Sequence, residues 1–276
     1  MDYRYQRRYR GPLRGIVFDW AGVTVDFGSR APVQAFQETF AQRDVPISLS
    51  QAREPMGRAK REHIQAILDM EEVRGRWVRM RGKAPSEKDT DDLYKDFLPI
   101  QIKCLKGGAK LIPGCLEAIA DCRSRGMKIG SSTGYVREIM DVLVPLAEQQ
   151  GYRPDCVVSA SDVPAGRPAP WMCLENARRL GIFPMESMVK VDDTPVGIAA
   201  GLNAGMWTVG IVVSGNEVGL SEQELAALEA ADRNARIERA REKLAISGAH
   251  WVIDTIADLP GVLDEVACLL GRGERP

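Results

Sequence analysis

The sequence predicts an α/β fold: a Rossmann-like parallel sheet core with an inserted α-helical cap. Three observations predict it. Short β-branched strands alternate with helical periodicities from about Pro113 to the C-terminus. One early strand, Leu13 to Trp20, is separated from them by a block of helical pattern with no strand signal. Polar residues stand at the ends of the strands, where open parallel sheets bind ligands.

Leu13-Arg14-Gly15-Ile16-Val17-Phe18-Asp19-Trp20 is a short β-branched and aromatic run ending in an acid and followed by Ala21-Gly22, which suits a buried strand feeding a loop. From Ala31 to about Leu105 apolar residues recur at helical spacing, through Val33, Phe36 and Phe40, then Ile64, Ile67 and Leu68, then Leu93 and Phe97. After Lys106-Gly107-Gly108 helix and strand alternate. Helices are expected at Pro113–Arg125, Val136–Gln150, Pro170–Leu180 and Thr194–Ala204, with strands at Met127–Ser131, Cys156–Ser159, Met188–Val191 and Trp207–Ile211. A charged helical stretch from Ser221, a strand Ala249–Ile253 and a last helix complete the pattern. Such alternation implies right-handed crossovers in one sheet, which the isolated first strand joins. The expected division is a core of residues 1–26 and 107–276 with a helical cap of residues 27–106.

The chain has 276 residues, enough for one large domain plus an insertion. Lysine and arginine (37) nearly balance aspartate and glutamate (38), so no global field favours nucleic acid or an anionic membrane, and a small-molecule substrate is expected. The six cysteines form no C-x-x-C pair, which argues against a zinc cluster or disulfide framework. The basic, tyrosine-rich start is followed by no apolar run of signal-peptide length, and no stretch suits a membrane span, so a cytoplasmic protein is expected.

Four strand ends carry polar candidates: Asp19, then Ser132-Thr133-Gly134, then Arg167, then Asp192-Asp193. Together they form a kit for moving a phosphoryl group onto a carboxylate. Both reactants are anionic, so attack requires a divalent cation and a basic side chain to offset repulsion. Asp19 and Asp193 offer oxygen ligands to magnesium, Thr133 and the Gly134 amide can bond phosphate oxygens, and Arg167 can pair with them. Singly these signals are weak, since Ser-Thr-Gly is also a common helix start. In this order, Asp19-Trp20-Ala21-Gly22-Val23-Thr24, Ser132-Thr133-Gly134, Arg167-Pro168 and Val191-Asp192-Asp193-Thr194 resemble the motifs of the haloacid dehalogenase superfamily. That resemblance implies a further metal contact from the Ala21 carbonyl.

Phosphatases of that superfamily usually carry a general acid two residues beyond the nucleophile, where this chain has Ala21. Either the protein is inactive or its leaving group is stabilised another way. The insertion supplies a candidate in Pro55-Met56-Gly57-Arg58-Ala59-Lys60-Arg61-Glu62-His63, which puts Lys60 and His63 on one helical face with Ile64 and Ile67. Burial, helped by Arg58 and Arg61, would lower the lysine's pKa so that it attacks a carbonyl; the iminium then accepts the electrons of a breaking carbon–phosphorus bond. The plain alternatives are a solvated Lys60, and Met56, Tyr135, Trp171 and Trp207 as packing residues.

At this point the chain resembles the phosphonoacetaldehyde hydrolases, or phosphonatases. The matching stretches include Val17–Gly22, Pro55-Met56-Gly57 with Lys60 and His63, Gly130–Tyr135, Asp162–Pro168, Pro170-Trp171-Met172 and Ala204–Gly210. The resemblance implies hydrolysis of phosphonoacetaldehyde to acetaldehyde and phosphate, with Mg2+, in a homodimer joined through the cap. It further implies Asp19 as nucleophile, Lys60 as the imine-forming amine, and Met56 and His63 moving protons beside it. Gly22, Thr133, Gly134, Tyr135 and Arg167 would surround the substrate, and Asp19, Ala21 and Asp193 the metal. There are two departures: Ser29 stands where some of the family carry cysteine, and Gly197 where some carry an acid, for which Asp192 is the substitute to test. The competing readings are a phosphomonoesterase or dehalogenase that uses Asp19 without Lys60, and an inactive relative that binds a phosphorylated ligand.

Overall fold

The computed structural model describes residues 8–276 and contains one six-stranded parallel sheet. The strands are β1 (Gly15–Phe18), β2 (Lys128–Thr133), β3 (Cys156–Ser159), β4 (Met188–Asp192), β5 (Trp207–Ile211) and β6 (Trp251–Ile253), in the order β3-β2-β1-β4-β5-β6. Every residue of β1, β4 and β5 is buried, because helices cover both faces of the sheet; hence these strands read as apolar runs rather than alternations. The strand order reverses around β1, which pairs with β2 on one side and β4 on the other. The carboxyl ends of those central strands therefore form the crevice at the switch point.

Five helices are inserted in the chain after β1: α1 (Arg30–Ala41), α2 (Leu49–Arg53), α3 (Lys60–Asp69), α4 (Glu71–Arg81) and α5 (Glu87–Gly108). Their limits follow from local chemistry. Ser48 and Ser86 open α2 and α5 with reciprocal capping boxes to Gln51 and Asp89, and left-handed Gly82 closes α4. The insertion has its own aromatic centre, where Phe36 of α1 stacks on His63 of α3 at 3.9 Å and on Phe97 of α5 at 4.4 Å between ring centroids. The later helices are α6 (Cys115–Ser124), α7 (Arg137–Gln149), α8 (Trp171–Leu180), α9 (Pro195–Asn203), α10 (Glu222–Ala227), α11 (Ala230–Ile246) and α12 (Leu259–Arg272).

The differences from expectation are local. Strand β1 ends at Phe18, because the chain turns at Trp20, whose carbonyl accepts from the amides of Val23, Thr24 and Val25. Helix α5 runs through the glycines expected to end it. The charged stretch from Ser221 is two helices, since Leu228 and Glu229 are extended (ψ 145° and 144°) and Leu228 packs on the apolar cluster around Val212 and Leu244. Trp207 is buried as expected, but Trp171, at the start of α8, is 45% exposed and is not a core residue. All six cysteines are unpaired, as expected of a chain without a disulfide framework. Among the described residues no helix is long and apolar enough to cross a membrane. The basic N-terminal stretch lies outside the described residues as far as residue 7.

Phe97 is fully buried and stacks on Phe36, so its removal opens the centre of the insertion. Phe97→Ala is expected to lower stability by about 3–5 kcal/mol, read as a shift of the urea unfolding midpoint; a shift within error would contradict this account of the insertion's core.

Candidate active site

The site grows from the loop after β1. Asp19 has left the strand, yet its amide still donates to the Val191 carbonyl (3.0 Å), and its own carbonyl accepts from the Thr24 hydroxyl (3.1 Å), which fixes the backbone under the carboxylate. Gly22 needs to be glycine twice over. Its φ is +86°, and a Cβ there would stand 2.1 Å from Asp193 Oδ2. Its amide donates to Val25 O (2.8 Å) and its carbonyl accepts from Ser214 Oγ (2.8 Å), so Gly22 braces the cavity from beside it rather than lining it.

Thr133 ends β2, where its hydroxyl accepts the Tyr135 amide (3.1 Å) and closes a tight turn. Arg167, 2% exposed, reaches in from the loop after β3. Its Nη2 donates to Asp19 Oδ1 (2.6 Å), Ser132 O (2.8 Å) and Ser132 Oγ (3.0 Å), and its Nη1 lies 3.4 Å from Asp192 Oδ2. At the end of β4, Asp192 Oδ1 accepts from the amide (3.1 Å) and hydroxyl (2.7 Å) of Thr194, while Oδ2 pairs with buried Lys190 (2.7 Å). Asp193 Oδ2 accepts the amide of Asn216 (2.7 Å); Oδ1 is buried without a hydrogen-bond partner.

One oxygen from each of Asp19, Asp192 and Asp193 falls within 4.8 Å of the others, a buried cluster able to hold a divalent metal. Charge separates its members. Burial, and then the charges of Asp19 and Asp192, push the Asp193 carboxyl well above its ordinary pKa. Burial acts on Asp192 in the same direction, but Arg167 and Lys190 outweigh it and hold that carboxyl low. Asp192 therefore brings its charge into the cluster and shares it with two cations. A Cβ at residue 197 would lie 1.9–2.1 Å from the Asp192 carboxylate atoms, so Asp192 fills the space that any side chain at 197 would need. The partnerless oxygen of Asp193, the neighbouring Asp19 and the adjacent Ala21 backbone fit a cation of hard, oxygen-seeking type.

The insertion closes over these groups. Asp19, Ala21, Thr133, Gly134, Tyr135, Arg167, Asp193 and Thr194 line a small cavity together with Ser29, Pro32, Met56, Gly57 and Lys60. Close approach of the two layers depends on glycines: a Cβ on Gly57 would meet Thr194 Oγ1 at 2.6 Å, and one on Gly134 would meet the Arg58 carbonyl at 2.6 Å. Lys60, first residue of α3 and 3% exposed, has its Nζ 5.0 Å from the Tyr135 ring centroid and 5.5 Å from that of Phe36. Burial brings its pKa down to about 8; Asp19 opposes the shift, Arg167 assists it and Asp193 opposes it. The expected helpers Arg58 and Arg61 are not what lowers it: Arg61 points outward to Glu87 (2.5 Å) and Asp91 (2.7 Å). His63 is fully buried on the same face, as its spacing predicts. Its Nε2 donates to Ala52 O (2.9 Å), which leaves Nδ1 as the lone-pair nitrogen, and burial followed by the Lys60 charge keeps the ring neutral. His250 lies elsewhere and accepts from the Thr208 amide (3.0 Å), in keeping with a structural role.

Four contributors were not read from the sequence: Phe36, Lys190, Ser214 and Asn216. The last two follow β5 directly, so the criterion that selected the other four strand ends, applied once more, would have found them.

A family model for haloacid dehalogenase-like hydrolases matches residues 13–205. The chain belongs to the haloacid dehalogenase-like hydrolase family, and it is a hydrolase. It is 49% identical over its whole length to the phosphonoacetaldehyde hydrolase of Hahella chejuensis, covering 94% of that protein. It is 47% identical, over 98% of its length and 96% of the relative, to the phosphonoacetaldehyde hydrolase of Nitratidesulfovibrio vulgaris. A crystal structure of a phosphonoacetaldehyde hydrolase-like protein from Oleispira antarctica superposes with a TM-score of 0.97 at 41% identity, each chain fully covered. Within the wider family, the chain thus groups with the phosphonoacetaldehyde hydrolases.

Because the Asp192 carboxylate fills the space beside residue 197, Gly197→Ala is expected to cost about 1–3 kcal/mol of stability through overpacking. The exchange of both positions, Asp192→Gly with Gly197→Asp, should be better tolerated than the sum of its single changes. Urea midpoints of wild type, Gly197→Ala, the two single changes and the double exchange measure this, and strict additivity would contradict the shared-space reading.

Proposed function

We propose that this hydrolase cleaves the carbon–phosphorus bond of phosphonoacetaldehyde, giving acetaldehyde and phosphate. The observation that carries this reading is that Asp19 of the core and Lys60 of the insertion line one cavity. A carboxylate and an amine there suit the two ends of one small molecule, phosphorus at the first and a carbonyl at the second. The names of the relatives agree with that substrate.

In this reading neutral Lys60 adds to the aldehyde and loses water, leaving an iminium. Asp19 attacks phosphorus, the carbon–phosphorus bond breaks, and its electron pair moves into the iminium to give an enamine and an aspartyl phosphate. Protonation of the enamine carbon and addition of water release acetaldehyde and regenerate the amine. A second water cleaves the aspartyl phosphate to phosphate, for a net consumption of one water. Arg167, already fixed on Asp19 and Ser132, is set to pair with phosphoryl oxygens, and Thr133 and the Gly134 amide to bond them. Asp19, Asp193 and the Ala21 carbonyl would hold Mg2+, which supplies charge neutralisation between two anions. Met56 lines the amine's side of the cavity; His63 lies behind the lining on the face of α3 that carries Lys60, and in this reading its partnerless Nδ1 would take up a proton against the burial that holds the ring neutral. Gly22 acts through Asp193, and Tyr135 gives Lys60 one wall. A cytoplasmic homodimer joined through the cap belongs to the same reading; exposed Leu49 of α2 and Val78 and Met80 of α4 support such a contact.

Borohydride added during turnover of phosphonoacetaldehyde should label Lys60, and Lys60→Arg should abolish both labelling and phosphate release. Hydrolysis that proceeds with Lys60 unlabelled rules out the imine. Asp19→Asn should lose at least about a thousandfold in rate, and EDTA should stop turnover until Mg2+ is restored, whereas a dehalogenase would survive chelation.

With a pKa of about 8 the neutral fraction of Lys60 at pH 7 is about one in ten, against about one in a few thousand for an ordinary lysine. The neutral amine is the reactive form, so labelling should rise about tenfold per pH unit below that value and level off above it. A rise that continues to pH 10 would contradict the assigned environment of Lys60.

A further inference from the structure

The segment after β5 touches the loop after β1, the entry to the insertion and Asp193. Ser214 Oγ donates to Gly22 O (2.8 Å), and Ser214 O accepts from the amide of Gly28 (2.7 Å), at the entry to the insertion. A Cβ on Gly215 would meet Asp193 Cβ at 2.8 Å. The Asn216 amide supplies the bond to Asp193 Oδ2 (2.7 Å).

Arg53, the last residue of α2 in the insertion, grips the same segment from the other side. Its Nη1 donates to Asn216 Oδ1 (3.0 Å) and Gly28 O (2.9 Å), and its Nη2 donates to Gly219 O (2.8 Å). The guanidinium lies against Gly219, whose Cβ, if present, would stand 2.7 Å from Arg53 Cζ; the φ of +68° there also requires glycine. One residue, Asn216, thus accepts from a cation of the insertion and donates to the carboxylate whose other oxygen has no hydrogen-bond partner. The contact is built to be directional: a planar fork with donors on both nitrogens matches carbonyls on two different loops, which a lysine ammonium would not span.

We infer that Arg53 is a positioning residue that couples docking of the insertion to metal affinity. Seated on residues 216–219, it fixes Asn216 and so orients Asp193, leaving Oδ1 directed toward the cation. This inference rests on the proposed assignment of Asp193 as a metal ligand. A substrate arriving with the insertion docked would meet a metal site already oriented, and a site with the insertion displaced would hold its cation less tightly. The Arg53 guanidinium bonds to none of the cavity-lining residues and to none of the three clustered carboxylates; only its backbone carbonyl meets the lining, accepting the amide of Met56 (2.9 Å).

The test is Mg2+ titration by calorimetry without substrate, on wild type, Arg53→Lys and Arg53→Ala, each checked for native thermal unfolding. Partners that orient a metal ligand typically contribute tenfold or more to affinity, so Arg53→Ala should weaken Mg2+ binding by roughly tenfold. Arg53→Lys, which keeps charge but loses the fork, should fall between. Native Mg2+ affinity in a folded Arg53→Ala protein overturns the proposal; if that variant does not fold, native affinity in Arg53→Lys does the same. Asp193→Asn and borohydride labelling of wild type separate the failures. Undiminished Mg2+ binding in Asp193→Asn would remove the assigned ligand itself, whereas absent labelling would remove the imine and leave the Arg53 coupling to stand on the titrations.

Discussion

Three carboxylates buried at the ends of two adjacent strands impose the charge balance to which everything else in the site responds. Asp19, Asp192 and Asp193 share a volume a few ångströms across, and like charges so close and so buried do not all ionise unaided. Two cations answer two of them. Arg167 spans Asp19 and Asp192, and Lys190 meets Asp192 from within the sheet. Asp193 is left without a cation of its own, and burial first, then its two acidic neighbours, push its carboxyl upward. A divalent ion there would resolve it and turn a site carrying one excess negative charge into one that welcomes a phosphoryl dianion.

The same cluster sets a limit on the amine. Lys60 is buried on the positive end of α3, and both influences favour its neutral form, yet Asp19 and Asp193 favour the ammonium. The resulting pKa near 8 is a compromise between burial and those two acids. Neutralising the acids with a cation would remove the opposition, so a metal at the carboxylates and a reactive amine would be coupled through electrostatics as well as through the proposed substrate. The aromatic rings of Phe36 and Tyr135 limit the cost of holding positive charge at Nζ, which suits a group that alternates between amine and iminium. Phe36 does this while stacked on His63, so packing of the insertion's core also sets the position of the ring beside the amine.

Much of this was legible in the sequence because it obeys short-range rules. The apolar runs of β1, β4 and β5 mark strands buried on both faces, and the acids and hydroxyls that end them are placed by strand geometry alone. The i, i+3 relation of Lys60 and His63 gave their common face. What was hidden depends on contacts between distant segments. Asp192 and Gly197 read as separate curiosities until their atoms are found to share one space. Proximity in sequence points to Arg58 and Arg61 as the charges acting on Lys60, whereas the cation that matters, Arg167, is more than a hundred residues away. The break at Leu228 lies inside a stretch of good helix formers and is set by tertiary packing of that leucine, which outweighs propensity.

The inventory of acids in the cavity favours an iminium over an alkoxide as the leaving group. Position 21 is alanine, so the usual donor is missing. Tyr135 has its phenol pKa raised well above the ordinary value, first by burial and then by surrounding carboxylates, so it is a poor acid. His63 is neutral, and its one N–H is committed to the Ala52 carbonyl. Burial and the neighbouring carboxylates raise the Asp193 carboxyl, but a cation held there would oppose that shift, and phosphoryl transfer onto Asp19 calls for such a cation. None of these groups is suited to protonate a departing alkoxide at the moment of transfer. An electron sink already carrying positive charge needs no such proton, and Lys60 is the one side chain in the cavity lining whose chemistry provides it.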